Sequence, residues 1–334
     1  MPQKISKNIS VGSFSDQNVI DSVSRLPPGQ ARFNAELNDF LDPFGSILSK
    51  TTSIAVAVSG GADSMALCIL LSEWAKDKQQ KIVALTVDHG LRDNSAEEAR
   101  KVSNWLAAYG IEHKTLLWEG EKPITGIQAL ARNARYNLMA TWCRKNNFMV
   151  LMTAHHLEDQ VETFLMRVQR GSGLDGLASM NSIVAFDGVM LVRPLLRASR
   201  SMLRTFLEER EQIWIEDPSN NNLAFQRTRI RLLVEKLELH GLFPEQTLKL
   251  IDHLAVLRQQ FSGIVNLFFQ RAVRIMPETY GIVHFEALKY LPDPVLERVL
   301  VQIISELSRK IYPPRRQRLK FSIKNNIVVI SNWP

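Results

Sequence analysis

The chain has 334 residues, 45% of them hydrophobic, and a formal net charge of +7. That length accommodates two domains, and no apolar run approaches the about 18 residues that a membrane-spanning helix requires, which argues against a membrane partner. Its two cysteines, Cys68 and Cys143, both fall in apolar helical patterns and read as buried thiols of a reducing cytoplasm rather than as a disulfide.

Residues 1–30 are rich in Ser, Asn and Gln, lack the apolar core of a signal peptide and read as a weakly ordered tail. From there to residue 220, β-branched runs alternate with helical ones. Strands are expected at Ser53–Val58, Lys81–Asp88, Glu112–Trp118 and Phe148–Ala154, and helices at Ala62–Lys76, Ser95–Tyr109, Ile127–Asn146 and Glu158–Gly171. This alternation predicts an α/β fold, a doubly wound parallel sheet with helices on both faces. In such a sheet a ligand lies beyond the carboxyl ends of the strands. Three of the four strands end in chemically suggestive residues, so the fold would gather separated motifs on one rim.

The first of these is Ser59-Gly60-Gly61-Ala62-Asp63-Ser64, between the first strand and the first helix. Two glycines remove Cβ atoms where a backbone comes close to a ligand, two serines add hydroxyls, and the helix start presents unpaired N–H groups to an anion. The residues suit phosphate, yet the loop has neither the Gly-Lys-Ser/Thr end of the Walker loop nor the spacing of the dinucleotide turn. Asp63 makes sense among phosphates if Mg²⁺ bridges them, and equally as a first-turn carboxylate facing the helix dipole. Asp88-His89-Gly90-Leu91-Arg92 follows the second strand; Asp88 could meet a ribose hydroxyl or a metal and Arg92 a phosphate.

Thr153-Ala154-His155-His156-Leu157-Glu158-Asp159-Gln160 joins the fourth strand to its helix. Adjacent histidines do not share a helix face, so His155 and His156 suit hydrogen bonds to phosphate or base better than zinc. Asp159 fits either a helix-start carboxylate or a catalytic acid. A glycine-dense loop follows at 171–176. A hairpin with an Asp187-Gly188 turn spans Ile183–Val192, and a helix over Ser201–Glu211 has Ser199 as its expected N-cap.

Asp217-Pro218-Ser219-Asn220-Asn221-Asn222 is the expected domain boundary, dividing residues 31–220 from a mainly helical second domain, 221–334. Helices are expected there at Gln226–Leu239, Glu245–Met276 and Pro294–Ile311, and strand-like alternation at Phe321–Ser331. From Asn221 onward there are 17 Lys and Arg against 9 Asp and Glu, so the positive charge belongs to the last third and suits a polyanion such as nucleic acid. In Arg227-Thr228-Arg229-Ile230-Arg231 the first and last arginines share a helix face, and their planar groups suit bidentate phosphate contacts. The basic run around Arg315 and Arg316 would meet an RNA backbone rather than read bases.

Taken together, Ser59–Ser64, Val87–Arg92, His155–Thr163, Arg170–Leu177, Arg193–Leu196 and Asp217–Arg231 resemble the tRNA(Ile)-lysidine synthetases, pyrophosphate-loop ATPases, in order and spacing. The run Trp214–Asn220 and the Gly-Ser-Gly-x-x-Gly-Leu stretch separate this resemblance from other pyrophosphate-loop groups. It implies a ligase that uses ATP and Mg²⁺ to adenylate the wobble cytidine of the isoleucine tRNA with a CAU anticodon and then installs L-lysine. It further implies catalytic roles for Asp63, Asp159 and Arg227 and nucleotide contacts from Ser59–Ser64, Asp88 and His155. Phosphate or tRNA contacts would come from Arg92, Arg170, Arg229, Arg231, Arg315 and Arg316. Oligomeric state is left open, a homodimer included. Two departures stand out: Glu158 where relatives often carry Asp, and Thr228 where they often carry Asn.

Overall fold

The computed structural model describes residues 40–76, 78–90, 94–119, 127–216, 226–275, 281–283, 285–308, 322–324 and 327–329. The chain divides into two compact units, one made of Met1–Thr163 with Met180–Glu245 and the other of Phe164–Ser179 with Gln246–Pro334.

The first unit is built on a six-stranded sheet. Its strands are β1 (Ser53–Ala57), β2 (Lys81–Asp88), β3 (Glu112–Leu117), β4 (Val150–Met152), β5 (Ile183–Phe186) and β6 (Val189–Val192), arranged β3-β2-β1-β4-β6-β5. All neighbours are parallel except the β5–β6 hairpin, whose turn carries Asp187 and Gly188, both at positive φ. The expected α/β fold is therefore what the chain adopts. Side chains alternate between two cores, as a period of two requires. Ile54 and Val56 point into the core with helices α1 (Ala62–Lys76), α2 (Ser95–Ala108) and α5 (Arg200–Glu208). Ala55, Val83 and Leu151 point into the opposite core, closed by Tyr136, Met139 and Cys143 of α3 (Ile127–Lys145).

Helix α1 is buried on nearly every side, from Met65 through Leu71, which is why its sequence is apolar all round instead of striped. Helix α5 starts where expected, with Ser199 Oγ accepting from the Met202 N–H at 3.2 Å. Helix α4 (Leu157–Gln169) follows β4, and α6 (Gln226–Leu239) completes the unit's helices.

The decisive topological fact is the place of β4. The chain steps from β1 outward through β2 and β3, then returns to lay β4 along the free side of β1, Ala55 pairing with Leu151 and Val56 with Met152. The crevice between the carboxyl ends of β1 and β4 is the switch point of this sheet.

The second unit contains most of α7 (Pro244–Ala272), the short α8 (Phe285–Lys289) and α9 (Asp293–Ser308), around a core of Val265, Val273, Leu288, Val299 and Ile303. Two hairpins differ from the sequence reading. Helix α7 stops at Ala272, four residues before the expected end, because β-branched Val273 and Ile275 form β7 (Val273–Ile275) against β8 (Gly281–Val283). The alternation at Phe321–Ser331 resolves into β9 (Ser322–Lys324) antiparallel to β10 (Ile327–Val329), with Asn-Asn between them in sequence. The expected domain boundary at Asp217–Asn222 lies outside the described residues.

Candidate active site at the switch point

Residues Ser59–Ser64 wrap the carboxyl end of β1 as a self-bonded loop. Ser64 Oγ donates to the Gly61 carbonyl at 2.9 Å and accepts from the Ser59 N–H at 3.1 Å, while the Ser59 hydroxyl lies 3.2 Å away. Gly60 adopts a φ of +87°, the left-handed region open to glycine. A Cβ there would lie 2.7 Å from both Ile215 Cδ1 and Val102 Cγ2, whereas one on Gly61 would meet only ordinary contacts. Glycine at position 60 thus leaves room for the protein itself, a close approach that the sequence reading did not include.

Asp63 stands in the first turn of α1, and its Oδ1 is buried without a hydrogen-bond partner among the described residues. Its Oδ2 lies 3.6 Å from Nε2 of His156, across the switch point. Burial raises the Asp63 carboxyl above its ordinary range; His156 and Arg200 oppose this, and Asp159 and Glu158 add to it.

His156 is 1% exposed. Its Nδ1 donates to Glu158 Oε2 at 2.7 Å, and its Nε2 lies 3.5 Å from Asp159 Oδ2. Burial works against the imidazolium, but Glu158, Asp159 and Asp63 together outweigh burial and Arg200 and raise its pKa. Glu158 also accepts from the Arg200 N–H through both oxygens, at 3.1 and 3.0 Å, so it caps α5 while holding the imidazole. Glu158 thus supplies both of these contacts.

Asp159 makes the helix-start contact that the sequence offered as one of two alternatives, and it also meets an arginine that the sequence did not pair with it. Its Oδ2 accepts from the His156 N–H at 3.1 Å at the start of α4, and its Oδ1 accepts from Arg227 Nη2 at 2.5 Å. Burial alone would raise this carboxyl, yet His156, Arg227 and His155 bring it down to about 2. It is an ionised anchor at neutral pH and a weak proton acceptor.

Glu162, one turn further along α4 and 1% exposed at its side chain, accepts from Arg227 Nε at 2.5 Å and from Arg231 Nε at 2.9 Å. The expected shared face of Arg227 and Arg231 is real, and it is turned toward two carboxylates of α4. Arg229, two residues on from Arg227, is exposed.

His155 differs from its neighbour. Its Nδ1 is 3.0 Å from Thr153 Oγ1 and its Nε2 is 3.4 Å from Arg132 Nη2, so both nitrogens have protein neighbours. Burial, helped by Arg193, Arg132 and Arg227 against the pull of Asp159, pushes its pKa down to about 3, which keeps the ring neutral. Arg193 is 9% exposed, donates through Nη1 to the Asn181 carbonyl at 2.7 Å, and leaves Nε buried without a partner among the described residues. Arg132 stacks 5.1 Å from the Tyr136 ring. A cleft of about 400 Å³ opens here, lined by Ser59, Asp63, Asp88, Arg135, His155 and Ile215. Asp88 closes its own turn by accepting from the Gly90 N–H at 2.9 Å.

Residues 30–237 match the PP-loop domain family. A tRNA(Ile)-lysidine synthase of Hyphomonas neptunium is 36% identical over 306 residues, covering 88% of this chain and 78% of the relative. The chain belongs to the tRNA(Ile)-lysidine synthase family. The Wolbachia pipientis wMel synthase is 36% identical over 277 residues, 82% of this chain and 64% of the relative, and that of Ruegeria pomeroyi is 38% identical over 265 residues, 79% and 62%. The chain thus spans less than two thirds of the length of these last two relatives. Among solved structures, a U34-tRNA thiolase from Methanococcus maripaludis shares the fold at a TM-score of 0.57 and 18% identity, covering 67% of this chain and 79% of that one.

Of the residues singled out in the sequence, Ser59–Ser64, Asp88 and His155 line the cleft or its loop, Asp159 stands beside them, and Arg227 and Arg231 are held behind it by Asp159 and Glu162. Arg170 belongs to the second unit, and Arg92, Arg315 and Arg316 lie outside the described residues. Sequence reasoning passed over Glu162, Arg132 and Arg135 and gave His156 no role distinct from His155. Glu162 offered a faint signal, three residues beyond Asp159 and so on the same helix face, and Arg132 and Arg135 share the same i, i+3 spacing on α3. No helix among the described residues is long and apolar enough to cross a membrane.

Proposed function

We propose that this protein modifies the wobble cytidine of the isoleucine tRNA with a CAU anticodon, using ATP to attach L-lysine. One observation carries the reading: the nucleotide loop and the Asp159–Arg227 pair are joined through a single buried side chain, His156, at the sheet's switch point. In the first step the C2 carbonyl oxygen attacks the α-phosphorus of ATP, the bond to the bridging oxygen breaks, and pyrophosphate leaves with that electron pair. In the second, the neutral ε-amine of lysine attacks C2, the C2–O bond breaks, AMP departs and the amine gives up a proton.

The chain's own groups suit these steps. The N–H groups and hydroxyls of Ser59–Ser64 would receive the pyrophosphate. Arg132, Arg135 and Arg193, gathered beside a neutral His155, favour negative charge accumulating in the cleft. Asp159, ionised and held by Arg227, orients an amine better than it deprotonates one. Asp63, whose Oδ1 is buried without a partner among the described residues, would hold a Mg²⁺ ion, which would offset charge on the leaving pyrophosphate. Both cysteines are wholly buried in the two sheet cores, and burial pushes each thiol up to about 12, so neither suits sulfur transfer at the rim.

The test is incubation with ATP, labelled lysine and total tRNA, followed by nucleoside analysis. A lysine-bearing cytidine with AMP and pyrophosphate in equal amounts is expected. Sulfur in the modified nucleoside, or no modification while ATP is bound, overturns the reading.

A further inference from the structure

The run Trp214–Asn220 distinguishes the family in sequence, yet the proposed chemistry gives it no task. Its described part, Trp214-Ile215-Glu216, passes over the nucleotide loop. The Ile215 N–H donates to the Gly60 carbonyl at 2.9 Å, and Ile215 Cδ1 occupies space beside Gly60 where a side chain would otherwise stand. The strap is moored on α5. Glu216 Oε1 accepts from Trp214 Nε1 at 2.8 Å and from Arg204 Nη2 at 3.0 Å, and the Arg204 guanidinium lies 5.7 Å from the Trp214 ring. Ile215 also lines the cleft itself.

Gly60 faces an entropic problem that this arrangement answers. Glycine at φ +87° has the freest backbone of any residue, and a loop that must present its N–H groups to phosphate loses binding energy to each alternative conformation. One hydrogen bond to the Gly60 carbonyl and one apolar side chain against its α-carbon remove those alternatives. Val102 of α2 shares that space, its Cγ2 at the same 2.7 Å from the position of a Gly60 Cβ, so the two side chains together fill the side of the glycine that a Cβ would occupy.

We propose that Ile215 is a positioning residue for the nucleotide loop, holding Gly60 through its own N–H and through a side chain that, with Val102, fills the space beside the glycine, so that Ser59–Ser64 is preformed for the pyrophosphate of ATP. The inference rests on the ATP-using reading of the loop but not on lysine or tRNA as substrates. Positioning of this kind acts on nucleotide affinity and leaves the later displacement by the amine alone.

The experiment compares Ile215→Ala and Ile215→Val with the unaltered full chain by isothermal titration with Mg-ATP, alongside melting temperatures and the KM for lysine and tRNA. Ile215→Ala should weaken ATP binding by about tenfold and Ile215→Val by about threefold, with the KM for lysine unchanged. If Ile215→Ala does not fold, the milder Ile215→Val carries the same comparison. A lowered melting temperature with unaltered ATP affinity makes Ile215 a packing residue only and overturns the proposal. So does a uniform loss across ATP, lysine and tRNA. An unaltered chain that binds ATP but forms no lysidine overturns the proposed activity instead, and the ATP titrations still decide the role of Ile215.

Discussion

Replacing Asp159 by Asn removes one charge at almost constant shape. The side chain is 13% exposed, so solvent screens its partners little. A carboxyl held at about 2 instead of 3.8 stabilises the folded, ionised state by roughly 2 kcal/mol. The amide keeps one acceptor and converts the other oxygen to a donor, so either the His156 N–H or Arg227 loses its partner. A total cost of about 2 to 4 kcal/mol follows. Because the folded pKa is depressed, this contribution is fully present above about pH 4 and is lost as pH falls through 2. Urea unfolding of both proteins from pH 7 down to pH 2 should therefore show a gap that narrows on acidification, since the unaltered protein alone gives up that charge. Lysidine formation by the variant at pH 7 should fall by about a hundredfold or more, because Arg227 is no longer held. A stability gap independent of pH would refute the electrostatic account, and unchanged turnover would leave Asp159 a helix-start residue alone.

Asp63→Ala should abolish AMP formation with a melting temperature near that of the unaltered protein, because its Oδ1 contributes no hydrogen bond to the fold; persistent AMP release would remove Asp63 from the chemistry. Gly60→Ala should lose about 1–3 kcal/mol in thermal unfolding, since the substituted residue must keep φ +87° and its Cβ meets Ile215 and Val102 at 2.7 Å. Substituting Cys68 and Cys143 together by Ala should cost about 1–3 kcal/mol of stability and leave activity per folded molecule intact, read from lysidine formed per native protein. Removing the charges of Arg315, Arg316 and Arg318 should lower the slope of log binding constant against log salt for tRNA by up to about three; an unchanged slope would leave them as solvated surface.

What could be read along the chain was whatever physics is local. Glycines at 60 and 61 between an apolar strand and an apolar helix announce an anion loop. Period-two and period-3.6 patterns locate four parallel strands and their helices to within a few residues, and Ser199 is recognisable as a cap from residue type alone. The same local reading overran α7, because nothing in the residues themselves says that Val273 and Ile275 have a partner in β8. The site's working geometry was hidden for the same reason. Arg227 reaches Asp159 and Glu162 across more than sixty residues of chain, Asp63 approaches His156 across more than ninety, and Ile215 covers Gly60 across more than one hundred and fifty. Residue type and spacing show that a carboxylate, an imidazole and an arginine are present. Only the placement of β4 beside β1 decides that His156 rather than His155 bridges the two carboxylates, that a buried Glu162 anchors both arginines, and that Gly60 is glycine to make room for Ile215. Such contacts are set by which strand lies next to which, and strand order follows from burying both faces of the whole sheet at once, a condition that no segment satisfies alone.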